Sequence, residues 1–152
     1  MNRELDKPMP ASVRLAGYLG LLPFLLAFAC VWLGAERGLA VFGLQLALAW
    51  GAVILSFIAA VHWGLALAGR WPWRTATVVG ATLPSVVGAV AVLVGDERGI
   101  ALLVAGFGAF WLFEHRARVD DLPPDYLALR RVLTLAVCTL LVFTAFAAEA
   151  GR

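Results

Sequence analysis

Few residues in this chain carry chemistry in a place where it would matter. His62 sits inside an apolar run, and Glu114 and His115 close another; Gln45 and Ser56 are polar groups in the same run as His62, with Trp63 beside it. A histidine in hydrocarbon exchanges a proton, holds a ligand or contacts a partner, because an ionisable side chain there is costly unless it is used. His62 with Glu114 would make a general acid/base pair if the two came within hydrogen-bond reach. The alternative for all three ionisable groups is interfacial: Trp63-Gly64 follows His62 directly, Arg70 comes eight residues later, and Glu114 and His115 read as a solvated helix edge. The two histidines fall on different segments without a companion set of carboxylates or thiols, so no metal site is expected. No nucleophile elbow, phosphate loop or haem-attachment motif is present, and no cofactor is expected. A bis-histidine haem on His62 and His115 is the weakest of the alternatives.

The surroundings decide the class. Of 152 residues, 62% are hydrophobic and 14% charged, against about 45–50% apolar in soluble domains, so the chain belongs in a lipid bilayer. A formal net charge of +2, dispersed along the chain, gives no footprint for nucleic acid. Apolar runs of roughly 20 residues cross a hydrocarbon core of ~30 Å. Five are expected, over residues 12–33, 39–68, 75–94, 99–115 and 126–148, making an all-α polytopic bundle in a single membrane domain. The second run is over-long and must tilt or protrude. The fourth reaches spanning length only if Asp96 and Glu97 open its helix, where the helix dipole favours acids.

Basic residues are retained on the cytoplasmic side. Arg3, Lys7, Arg14, Arg70, Arg74, Arg116, Arg118, Arg130 and Arg131 fall on one side of this arrangement; Arg37, Arg98 and Arg152 fall on the other. The expected topology is N-terminus in, C-terminus out, in the inner membrane of a bacterium. Ala27-Phe28-Ala29-Cys30 superficially resembles a processing site, but the apolar run continues to Leu33 and is read as a continuous first span. Cys30 and Cys138 are read as packing residues, offset along the membrane normal and too far apart for a disulfide.

Shifting the chain by 61 positions lays Gly34–Ala40 on Gly95–Ala101, Leu22-Pro23 on Leu83-Pro84 and Trp50 on Trp111. This suggests two parallel helical hairpins plus one helix, with short Gly-containing turns in apolar sequence as the simpler alternative. Pro23 and Pro84 each remove a helix hydrogen bond and are expected to kink helices one and three. Small residues recur at helical spacing: Gln45, Ala49, Ala52, Ser56, Ala59 and Trp63; Gly80, Pro84 and Gly88; Ala101, Ala105 and Ala109. These are read as packing seams.

The stretch Trp50–Gly64 contains Gly51-Ala52-Val53-Ile54-Leu55-Ser56-Phe57 and His62-Trp63-Gly64, preceded by Gly20-Leu21-Leu22-Pro23-Phe24 and followed by Leu83-Pro84-Ser85. In this it resembles the transmembrane protein 69 family of bacterial and mitochondrial membranes, from about Ala16 to Ala145. Ala59-Ala60 stand where glycines are commoner in that family, and Trp50 where another aromatic is frequent. The resemblance implies a five-helix inner-membrane protein and brings no activity. The leading expectation is a non-enzymatic accessory, assembly or scaffold protein that acts through helix contacts, with a membrane-protein partner or a second copy of itself. The alternative is a small transporter or lipophilic-ligand binder, with a pocket between kinked helices one and three near His62.

Overall fold

Residues 9–34, 37–117 and 122–151 are described by the computed structural model, and among them all regular structure is helical. Arg3, Lys7, Glu36, Arg118 and Arg152 lie outside the described residues. The chain order is α1 (Ala11–Leu19), α2 (Leu22–Leu33), α3 (Arg37–Leu67), α4 (Thr75–Val94), α5 (Glu97–Ala117) and α6 (Pro124–Ala150). The surface is greasy: Leu93 is 85% exposed, Leu33 73% and Phe57 70%. Such a surface is stable only against lipid.

Four stretches are long and apolar enough to cross a membrane: Ala11–Leu33, Gly38–Leu67, Thr75–Val94 and Pro124–Ala150. The helix α5, with 21 residues, is no shorter than α4 but is not among them. Its sequence carries Glu97 and Arg98 at one end and Glu114, His115 and Arg116 at the other.

The run expected as one first span is interrupted. Pro23 has no N–H to offer the carbonyl four residues earlier, and the helix breaks at Gly20-Leu21, just ahead of it. Both residues keep near-helical backbone angles, and Leu21 N–H donates to the Tyr18 carbonyl at 3.0 Å, a tightened turn. The Gly20 carbonyl accepts from the Trp50 indole Nε1–H at 3.0 Å. In apolar surroundings a freed carbonyl must find such a partner. By contrast α4 runs through its buried Pro84 without interruption. The two prolines matched by the 61-residue shift therefore have different local structures. So do the two turns: Gly95 closes α4 in the left-handed region at φ +73°, whereas Gly34 follows α2 at φ −71°.

After Gly95, Asp96 Oδ1 accepts from Arg98 N–H at 2.8 Å and from Gly99 N–H at 3.4 Å. The side chain thus caps the orphan donors of α5. The helix α3 has 31 residues, about 46 Å at 1.5 Å per residue, and outruns a ~30 Å core. Gly69, at φ +70°, turns the chain after it, and the turn tucks Trp71 back against the bundle at 6% exposure.

In the packing, α3 is central and touches α2, α4, α5 and α6; α6 also closes on α1, α2 and α5. The core includes Phe24, Leu48, Leu55, Ile100, Leu103, Phe107 and Leu141. Close approach is real at several of the glycines, Gly88 and Gly43 among them. A Cβ on Gly88 would stand 3.1 Å from Ala52, and one on Gly43 would stand 2.7 Å from the Ala27 carbonyl oxygen. The expected α5 seam is on the wrong side: Ala101, Ala105 and Ala109 are exposed, and the inward stripe is Ile100, Leu103, Phe107, Phe110 and Glu114. Large side chains fill the space between α5 and α3, so the small ones fall outward. The expected α3 seam is likewise marginal, with Ala59 buried, Ala52 and Ser56 half-buried, and Gln45, Ala49 and Trp63 exposed. Cys30 and Cys138 are free thiols.

Candidate functional site

On α3 the buried line runs Leu48, Gly51, Leu55, Ala59, His62, Ala66, at spacings of three and four. His62 continues that line, which is why it is completely buried and not interfacial. Its ring lies in an aromatic box: Trp71 edge-on at 5.0 Å, Phe110 at 5.1 Å and Phe113 at 5.6 Å between centroids. On the remaining side is Gly80 of α4, where a Cβ would meet Phe113 at 2.7 Å and His62 Nδ1 at 3.0 Å.

Glu114 corrects the sequence reading more sharply. Expected at a solvated edge, it is 1% exposed. Arg130 of α6 donates from Nε at 3.2 Å and from Nη2 at 2.9 Å, both to Glu114 Oε2. The guanidinium carbon also sits 5.7 Å from the centre of the Phe110 ring. Glu114 Oε1 faces His62 Nε2 at 3.4 Å, and neither atom makes a hydrogen bond. The C-terminal parts of α3 and α5 and the N-terminal part of α6 thus bring three ionisable groups to one end of the bundle. Arg130, counted above among the charges on one side of the membrane, is a buried half of an ion pair.

The remaining expected residues do not join this cluster. His115 is exposed and stacks on Trp111 at 5.5 Å, so it does not face His62. Trp63 is exposed and packs edge-to-face on Trp73 at 5.2 Å. The Ser56 hydroxyl donates to the Ala52 carbonyl at 2.8 Å, and Gln45 lies on the outer surface. Among the described residues no group of three His, Cys, Asp or Glu side chains has the placement to hold a metal.

The bundle holds a cavity of about 440 Å³, and its position corrects a second expectation. It does not lie between the two proline helices, because α3 packs between α2 and α4 and separates them. It lies at the α1–α2 break, walled by Phe24, Ile54, Ile58 and Phe107 and closed by Leu133 and Val137 of α6. Val13 and Phe57, which also line it, are exposed. Its polar groups come from one stripe of α6, Tyr126, Arg130 and Thr134, each four residues from the next. The Thr134 hydroxyl is buried and has no hydrogen-bond partner. Sequence reasoning missed all three. The four-residue spacing of polar groups along an otherwise apolar run was the available signal.

A family model described as "Protein of unknown function (DUF3429)" matches residues 9–146, and the chain belongs to that family. No curated protein matches the chain, and neither does any solved structure.

Proposed function

We propose that this integral membrane protein binds a lipophilic small molecule in the cavity between α1, α2, α3, α5 and α6, without catalysing a reaction. The observation that supports this is the cavity itself: about 440 Å³, walled by apolar side chains, with its few polar groups on one side. Ligand sites commonly have about 300–1,000 Å³ and this mixture of linings. Val13 and Phe57 line the cavity and are exposed on the surface, which would give a molecule a way in from the hydrocarbon layer. The test is saturable thermal stabilisation of the purified protein by a long-chain alkyl probe in a fixed detergent. Ile54→Trp, which fills the cavity from α3, should abolish it; an equal response of wild type and variant removes the reading.

A second reading, an accessory or scaffold protein, is favoured by the outward face of α5. There Ala101, Ala105 and Ala109 would let another helix approach closely. Cysteine cross-linking from Ala105 in native membranes should then trap a stoichiometric partner or a second copy.

The proposed setting is a bacterial inner membrane with α5 as a fifth crossing, the N-terminus cytoplasmic and the C-terminus opposite. The resemblance to transmembrane protein 69 supports five crossings of an inner membrane, and the uneven distribution of Lys and Arg supports the orientation. An impermeant thiol label on Gly95→Cys should react only from the outer face.

A further inference from the structure

The three polar groups lining the cavity define what its occupant must carry. Three other hydroxyls in the helices satisfy themselves on the carbonyl four residues earlier: Ser56 on Ala52, Thr82 on Val78 and Thr144 on Leu140, at 2.8–2.9 Å. This is the ordinary resting place of a helix hydroxyl. Thr134 departs from it. Its hydroxyl is buried, donates to nothing and lies on the cavity wall. A buried donor left unmade is costly, so the geometry calls for an acceptor.

Arg130 narrows the choice. It lines the same cavity, and a guanidinium has five N–H donors, of which Nε and Nη2 reach Glu114 Oε2. Its charge is already balanced by a buried carboxylate, so it presents donors without presenting a free cation. A carboxylate entering beside Thr134 would bring an uncompensated negative charge into a low-dielectric site. A neutral acceptor would bring none. Tyr126, one turn before Arg130, adds a phenol to the same wall, while the opposite walls are hydrocarbon.

Resting on the ligand-binding reading above, we infer that the occupant is an uncharged lipophile with a carbonyl oxygen, held by Thr134 and Arg130, its hydrocarbon lying toward Phe24, Phe57 and Ile58. A ketone- or quinone-type lipid and the ester carbonyl of a bilayer lipid share this chemistry.

The experiment compares three probes of matched chain length, methyl tridecyl ketone, pentadecane and pentadecanoate, by saturable stabilisation of the purified full chain in one detergent. Wild type, Thr134→Val and Thr134→Ser are compared. The ketone should bind wild type more tightly than either other probe. Thr134→Val should weaken the ketone about 3- to 30-fold, the equivalent of one polar contact in a membrane protein, and leave pentadecane unchanged. Thr134→Ser should retain the wild-type order. Displacement of the ketone by a dioleoyl phospholipid would assign the acceptor to a bilayer ester, and its failure would assign it to a free lipophile; both keep the carbonyl. Equal binding of ketone and alkane, or tightest binding of the carboxylate, overturns the inference and leaves the cavity reading intact. If no probe stabilises wild type and Ile54→Trp changes nothing, the cavity reading itself fails.

Discussion

The buried pair of Glu114 and Arg130 offers the sharpest test of the structure. Both side chains are almost wholly removed from solvent, and two donors of Arg130 converge on one carboxylate oxygen at 2.9 and 3.2 Å. At an effective dielectric of about 20, opposite unit charges about 4 Å apart attract by about 4 kcal/mol. Removing one partner leaves the other charged and buried, which costs about 3–5 kcal/mol. Glu114→Gln keeps the shape and deletes the charge, and Arg130→Met keeps much of the stem and deletes the head. Each single variant should therefore lose about 3 kcal/mol or more, while the double variant should lose far less than the sum, with a coupling of about 3 kcal/mol. The assay is reversible unfolding of the protein in mixed micelles, followed by helical circular dichroism. His62→Phe is the control. It keeps a ring in the aromatic box but removes Nε2, which lies 3.4 Å from Glu114 Oε1, while leaving the two Arg130 hydrogen bonds in place, so it should cost less than either charge deletion. Additive losses in the double variant, or a His62→Phe loss as large as that of Glu114→Gln, would refute the arrangement of charges described above.

Other perturbations follow from local geometry. Gly80→Ala places a methyl against Phe113 and His62 and should cost about 1–3 kcal/mol, with a change in Trp71 emission measured in a variant whose other tryptophans are replaced. Trp50→Phe removes the indole donor from the Gly20 carbonyl and should cost about 0.6–2 kcal/mol by the same unfolding assay. Two glycine substitutions should differ in sign. Gly43→Ala meets the backbone of Ala27 and destabilises, whereas Gly108→Ala meets nothing within 4 Å and should be neutral or stabilising by up to about 1 kcal/mol, as comparative melting would show.

The class of the molecule was legible in composition and run length, because hydrocarbon demands long apolar helices whatever their neighbours. Local chemistry was legible too. A proline removes one hydrogen bond regardless of context, so Pro23 announced an interruption near its own position, and Asp96 announced a helix start. The same local rule could not tell that Pro84 would leave α4 continuous, because that depends on what α4 packs against.

Which way a helix faces is a property of the assembly. The stripe Ala101, Ala105, Ala109 suggested a seam by spacing alone, yet larger residues of α5 meet α3 and the alanines point outward. The charge count could not separate Arg130 from Arg131, its neighbour in sequence, because pairing with Glu114 requires two helices that only the bundle sets side by side. The cavity has the same origin. It is the space left where the α1–α2 break meets α3, α5 and α6, and no single segment encodes a volume shared by five. In this chain the amino-acid order determined the solvent and much of the local punctuation, since these depend on each residue's own transfer energy and backbone geometry, while the split of the first run into two helices raised the expected five segments to six. Tertiary packing decided which polar groups meet, because burial, ion pairing and cavity shape are relations between helices distant in the chain.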